Sequence, residues 1–153
     1  MRFLIKKKVT LLFCIFAFSA NPLFAQGTQA ENNHFKIAQS MFGEGAYANA
    51  AQEFKQFIIN FPTSERLPDA LLQLGEAYAR GNQSQEAIEA YQQFIDRYPS
   101  HFAVASAMRS KAQALEQIQE YNKAGQAYEN VHASYPEGEY AVQDLLSAGR
   151  NYH

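Results

Sequence analysis

Apolar and small residues return along this chain with two nested periods. Within a segment they recur at i, i+3, i+4 and i+7, the stripe of an amphipathic helix. Leu71, Leu74, Gly75 and Tyr78 form one such stripe, and Ala87, Ile88, Tyr91, Phe94 and Ile95 form the next. Across segments the pattern returns every 37 residues. Tyr47-x2-Ala50-x3-Phe54-x2-Phe57-x3-Phe61-Pro62 comes back as Ala87-x3-Tyr91-x2-Phe94-x3-Tyr98-Pro99. It comes back again as Tyr121-x2-Ala124-x3-Tyr128-x2-Val131-x3-Tyr135-Pro136. A fixed period of this length marks stacked supersecondary units that bury their apolar faces against one another.

Each unit reads as two helices. In the second unit Gly81-Asn82 supplies the turn between them, and Ser84 is expected as the N-cap of the second helix. Tyr98-Pro99 ends that helix, because proline disfavours helical backbone at the residue before it. The first unit places His34, Ile37, Ala38 and Met41 where the second has Leu71, Leu74, Gly75 and Tyr78, and Gly43 and Gly45 mark its turn. The third places Met108, Lys111, Ala112 and Leu115 there. Lys111 stands at an apolar place, and the turn near Ile118 to Glu120 lacks glycine. After Pro136 the pattern restarts as Leu145-x2-Ala148-Gly149-x2-Tyr152. The expected fold is an all-α solenoid of three helix pairs and one unpaired C-terminal helix. The units fall at residues 34–64, 65–101 and 102–138, with a half-repeat or capping helix at 139–153. A capping helix normally shows a polar outer face. Leu145, Leu146, Ala148 and Tyr152 read instead as a helix awaiting a partner, as in a truncated array or an edge that self-associates.

Leu71-x2-Leu74-Gly75-x2-Tyr78, Ala87-x3-Tyr91 and Pro99 together resemble the tetratricopeptide repeat, with Leu71 where that family usually has tryptophan. The resemblance implies that Gly75 and Ala87 lie where the two helices of a unit cross closely. A larger side chain at Ala87 would overpack the crossing at a cost of roughly 1–3 kcal/mol. It also implies that recognition falls on a concave surface lined by the first helix of each pair. The groove positions are then Phe35, Gln39 and Phe42 in the first unit and Asp69, Leu72, Gln73, Glu76 and Arg80 in the second. Ser106, Arg109, Gln113 and Glu116 follow in the third, and Leu146 and Arg150 in the last helix. Phe35, Phe42 and Leu72 would be apolar groups with a polar rim, the profile of a peptide-binding patch. Equally, Phe35 and Phe42 would simply cover the N-terminal edge. Relatives that clamp a C-terminal carboxylate use lysine and asparagine at set groove places. Here those places hold Phe35, Gln39, Gln73, Ser106 and Ser110, and no cation stands there to serve that partner class.

Composition and charge narrow the picture. The 153 residues are 47% hydrophobic with a net charge of −2, in keeping with one soluble domain. Arg2, Lys6, Lys7 and Lys8 precede the apolar run Val9 to Ala20; Asn21-Pro22 breaks it, and Ala25 stands before Gln26. This is the build of a secretory signal peptide over residues 1–25. The run is shorter than the ~20 apolar residues of a membrane-spanning helix. The alternative is an uncleaved N-terminal membrane anchor. Cleavage near Ala25 leaves 9 basic residues against 15 acidic ones. An acidic chain without a basic run argues against nucleic acid as partner. Cys14, the only cysteine, would leave with the signal, which suits an oxidising compartment. Phe13 stands before it where lipoprotein signals carry a small residue, so no lipid anchor is expected. Residues 26–33 are polar and read as a flexible lead-in.

Candidate chemistry is sparse. His34, His101, His132 and His153 show no metal-site spacing, and Gly43-Glu44-Gly45 lacks the Gly-Lys-Ser/Thr of a phosphate loop. No nucleophile setting is recognisable, so no enzyme activity, cofactor or metal is expected. The chain holds 12 Phe and 9 Tyr. Phe54, Phe57, Phe61, Tyr91, Phe94, Tyr98, Tyr128 and Tyr135 fall at repeat-fixed places and read as core. The endings Phe61-Pro62-Thr63-Ser64 and Tyr98-Pro99-Ser100, with the period and the signal, resemble a bacterial envelope subgroup over residues 34–152. It includes the Tol–Pal-associated cell division coordinator and the outer-membrane assembly lipoprotein of the BAM complex. The resemblance implies a non-catalytic periplasmic adaptor in envelope assembly or division, presenting its groove to a peptide or a partner's helix. Two features depart from it. The coordinator carries a coiled coil before its repeats, and the lipoprotein a lipidated cysteine after its signal. The alternative function is a structural protein that self-associates through residues 139–153.

Overall fold

Three residues in left-handed backbone punctuate the chain at the repeat period: Gly45 (φ 79°), Asn82 (φ 58°) and Gln119 (φ 63°). Each closes a helix with the same pair of bonds. The N–H groups of Ala46, Gln83 and Glu120 donate to the carbonyls of Met41, Tyr78 and Leu115, all at 2.9 Å. The left-handed residues themselves donate to Phe42, Ala79 and Glu116 at 2.9–3.3 Å. This is the Schellman ending, which satisfies terminal carbonyls and turns the chain back. The second helices end differently. The N–H groups of Phe61, Tyr98 and Tyr135 donate to Phe57, Phe94 and Val131 at 2.9 Å, and a proline follows each.

These two endings divide the computed structural model, which describes residues 22–152 with side chains from residue 29 onward, into helices alone. In chain order they are α1 (Pro22–Gly43), α2 (Tyr47–Asn60), α3 (Leu67–Arg80), α4 (Ser84–Arg97), α5 (Val104–Gln117), α6 (Tyr121–Ser134) and α7 (Ala141–Asn151). Residues 1–21, most of the expected signal segment 1–25 and with it Cys14, lie outside the described residues, as does His153. Each helix packs on its neighbours in sequence, and α3 also touches α5. The result is the expected all-α solenoid of three pairs and a seventh helix. No described helix is long and apolar enough to cross a membrane.

Two expectations are corrected here. Residues 26–33 are not a flexible lead-in but the N-terminal half of α1. Ser84 is not an N-cap: Gln83 holds that place without a side-chain bond. The Ser84 hydroxyl instead donates to Gln117 Oε1 at 2.6 Å, tying α4 to α5.

The core is layered along the stack. Phe35, Phe54, Phe57 and Leu74 fill the layer between α1 and α3. Leu71, Ala87, Tyr91, Phe94 and Val104 fill the next. Phe54, Phe57 and Phe94 are fully buried, and each such side chain contributes about 1.5–3 kcal/mol. Gly75 and Ala87 mark a close crossing, as expected. A Cβ at Gly75 would stand 2.7 Å from Tyr91 Cε1. The third layer has smaller side chains: Ala112, Tyr128 and Ala148 cluster there, and Leu115, Ala124, Val131 and Ala141 of α5 to α7 are also buried. Among the expected core aromatics, Tyr135 is exposed.

Candidate functional site

The first helices α1, α3, α5 and α7 run side by side along one surface of the stack, and their outward side chains form two different regions. Between α3 and α5 lies a cleft of about 600 Å³. Leu72, Glu76, Ala79 and Arg80 line it from α3. Ser106, Ser110, Gln113, Ala114 and Gln117 line it from α5, Asn82 stands at its rim, and Tyr91 of α4 forms its floor. Glu76 Oε1 accepts from Arg80 Nη2 at 2.8 Å, an exposed i,i+4 pair that solvent screens. The Arg80 guanidinium also lies over Phe42, 5.1 Å from its ring centroid. The two charges in the cleft therefore satisfy each other; the Ser106 hydroxyl donates to the Ala103 carbonyl at 2.8 Å and Gln117 Oε1 accepts from Ser84, and the rest of the lining offers the amides of Gln113 and Asn82 with apolar surface. Burial pushes the Tyr91 hydroxyl up to about 12, so the floor is a neutral phenol at physiological pH.

Between α5 and α7 the surface is sealed. Asp144 of α7 is buried and holds Arg109 in both hands: Nε donates to Oδ1 at 2.6 Å and Nη2 to Oδ2 at 2.7 Å. That pairing raises the Arg109 pKa. The guanidinium also covers the Tyr140 ring at 4.6 Å. Two turns further, Asn151 Nδ2 donates to Glu116 Oε1 at 2.6 Å and to the Ser147 carbonyl at 2.8 Å. The Tyr128 hydroxyl donates to Glu116 Oε2 at 3.3 Å. Burial first, and then Glu116, push the Tyr128 hydroxyl above its ordinary value.

The expected groove residues divide accordingly. Leu72, Glu76, Arg80 and Gln113 meet in the cleft. Gln39 donates to Gln73 at 3.4 Å beside it, and Phe42 packs edge-on against Tyr47. Asp69 is exposed in the first turn of α3. Arg109 and Glu116 belong to the sealed region. Leu146 and Arg150 lie exposed on α7, where Arg150 donates to Ser147 at 3.1 Å. Phe35 is a correction: it is 3% exposed, its ring edge-on between Phe54 and Phe57 with Arg66 over it. It is core, in one cluster with Ala38, Phe54, Phe57 and Leu74, while His34 at the usual leucine place is half-buried against Phe61. Asn82 and Gln117 were missed, whereas Ser110 was already expected at a groove place. Asn82 was legible, since it stands on a turn facing the following helix pair.

The histidines stay apart. His34 stacks on Phe61 and lies 3.7 Å from Glu53. His101 sits between Phe94 and Phe102, and His132 Nδ1 lies 3.0 Å from the Ala141 carbonyl. Among the described residues no group of His, Cys, Asp and Glu is arranged to hold a metal ion.

A family model described as Tetratricopeptide repeat matches residues 33–64 and 69–101. No curated protein matches the sequence. Among solved structures, the nearly identical TPR-like repeats of a Podosopora anserina protein described as a kinesin light chain superpose with a TM-score of 0.67 at 16% identity. They cover 80% of this chain and 65% of theirs. MamA (residues 41 to the end) from Desulfovibrio magneticus RS-1 gives 0.65 at 24% identity, over 80% of this chain and 66% of its own. The second TPR domain of human RPAP3, solved with the HSP70 peptide SGPTIEEVD, gives 0.63 at 19% identity, over 80% and 98%. This chain thus spans just under two thirds of the first two structures. At these identities the likeness describes the fold.

Proposed function

We propose that this chain is a tetratricopeptide-repeat adaptor without catalytic activity, which holds a segment of another protein in the cleft between α3 and α5; the family model over residues 33–64 and 69–101 supports the repeat reading. The chemistry of that cleft carries the reading. Hydroxyl and amide groups of Ser106, Ser110, Gln113, Gln117 and Asn82 face an opening floored by Tyr91 and flanked by Leu72 and Ala79. Such a surface hydrogen-bonds a peptide backbone and seats one apolar side chain. The RPAP3 domain was solved with an acidic peptide. Here Glu76 engages Arg80 and Asp144 engages Arg109, so the occupant favoured is an uncharged segment, and its affinity varies little with salt. The basic-then-apolar N-terminus supports export, and with it a place in the periplasm and a role in envelope assembly or division.

The test uses two variants. Leu72→Asp and Gln113→Lys put charges into the cleft, and each is expected to abolish capture of the partner; Leu72 also packs against the second core layer, so the exposed Gln113→Lys is the variant expected to leave helical content and melting temperature unchanged. Capture unaffected by both contradicts the cleft. Fractionation with N-terminal sequencing tests export: a chain beginning at Gln26 in the periplasmic fraction is expected, and an intact N-terminus in the cytoplasm contradicts it.

A further inference from the structure

The period that lays out the core is broken inside the stack at Lys111. In the second unit Leu74 of α3 packs in one cluster with Ile58 of α2 and Ala90 of α4, and is buried. One period on, those three places hold Lys111, Ile95 and Ala127. The leucine has become a half-buried lysine, and Ala127 is half-buried where Ala90 is 3% exposed. The gap between α4 and α6 is correspondingly open. A hollow of about 200 Å³ lies there, walled by Gln92 and Ile95 of α4, Met108 and Lys111 of α5, and Ala127 and Asn130 of α6. A second hollow of about 370 Å³ runs on towards Ile88 and Ile118 and shares Lys111, Ala127 and Asn130. None of these residues lines the cleft between α3 and α5.

A lysine ammonium carries three N–H donors. One goes to Gln92 Oε1, and Asp96 fixes that amide, since Gln92 Nε2 donates to Asp96 Oδ1 at 2.7 Å. Among the described residues no carboxylate stands within 4 Å of the Lys111 ammonium; Glu120, which lines the second hollow, is engaged by Lys123 at 3.2 Å. We propose that the opening around Lys111 is a small-molecule site, separate from the cleft, which takes a carboxylic acid with a short unbranched apolar tail. The carboxylate accepts from Lys111 Nζ and from the Asn130 amide, and the tail lies against Ile95, Met108 and Ala127. The stem of Lys111 is apolar and its head marks the polar end of the site. A cation paired with a carboxylate gives the strong, charge-assisted bond, and the apolar walls supply the rest. The two hollows together fall within the roughly 300–1,000 Å³ of small-molecule sites.

Octanoate titrated into the full chain and followed by the chain's NMR chemical shifts tests it. Saturable binding is expected with a Kd of about 1 mM or below, the range open to a ligand of about ten non-hydrogen atoms. Octanamide keeps the tail without the charge, and acetate keeps the charge without the tail. Each is expected to bind about tenfold more weakly or worse. Lys111→Leu restores the side chain of Leu74 and closes the gap; it should melt no lower than the parent chain and lose octanoate. Ala127→Leu fills the hollow while keeping the ammonium, and should lose octanoate as well. Gln113→Lys in the cleft leaves this binding unchanged, so the two sites stand or fall apart. Absence of saturable binding, binding that survives either Lys111→Leu or Ala127→Leu, or octanamide or acetate bound as tightly as octanoate overturns the proposal.

Discussion

Gln119 holds a left-handed backbone that its equivalents entrust to Gly45 and Asn82. A side chain with a full Cβ tolerates that region poorly. Gln119→Gly is therefore expected to stabilise the fold by about 0.5–1 kcal/mol in denaturant titration, although it frees the unfolded chain; a loss of stability would show that the turn is unstrained. The same scale explains why the third unit's turn was hard to read: Ile118 to Glu120 has no glycine, yet its two hydrogen bonds copy those of the other turns. Arg109 was legible as a groove position but not as a bound one. Its partner Asp144 occupies a place where the previous units have Ala70 and Ala107, and a carboxylate at a small, buried place was the signal available. Arg109→Ala leaves that carboxylate buried alone and should cost about 3 kcal/mol or more. Asp144→Ala restores the alanine of the other units and should cost less than about 1 kcal/mol. Equal losses in the two variants would contradict this account of the pair.

The helices differ in how firmly they are held. The first two core layers are aromatic and leucine-rich, whereas the layer under α7 has Ala112, Tyr128 and Ala148 with a polar network beside it. Local opening follows buried apolar contact. Amides of α7 should exchange with solvent faster than those of α2 to α4 and at a rate sensitive to Arg109→Ala; uniform protection would show a single cooperative unit. At the crossing of α3 and α4, Tyr91 keeps its proton up to about pH 12 in the folded chain but only to about pH 10 once unfolded. The folded state thus binds more protons across that window, and stability falls as pH rises through it. Tyr91→Phe should lessen this alkaline loss, Tyr128 keeping its own share, and an unchanged pH profile would count against the burial. Pairing of the helices was legible because the aromatic and proline places repeat without a slip. Their caps were not: Ser84 looked like an N-cap, but its hydroxyl finds Gln117 of the following helix, a partner 33 residues away that no local pattern reveals.

At the scale of the whole molecule, stacking sets what the surface offers. Repeats that contact only their neighbours line up their first helices, and side chains far apart in sequence meet there. Period counting brought Leu72, Glu76, Arg80 and Gln113 to one cleft. It failed at Phe35 of the first helix, which is turned inward, and at Arg109 and Glu116 of α5, which are drawn into contacts with α7. The central claim is that the open cleft between α3 and α5, and not the convex face, holds the partner. A photo-crosslinking amino acid placed at Gln113, and in a second chain at the exposed Gln93 of α4, tests it in living cells. The account predicts a discrete protein adduct from position 113 that Leu72→Asp removes, and none from position 93. Adducts from 93 alone, or from 113 regardless of Leu72→Asp, would contradict it.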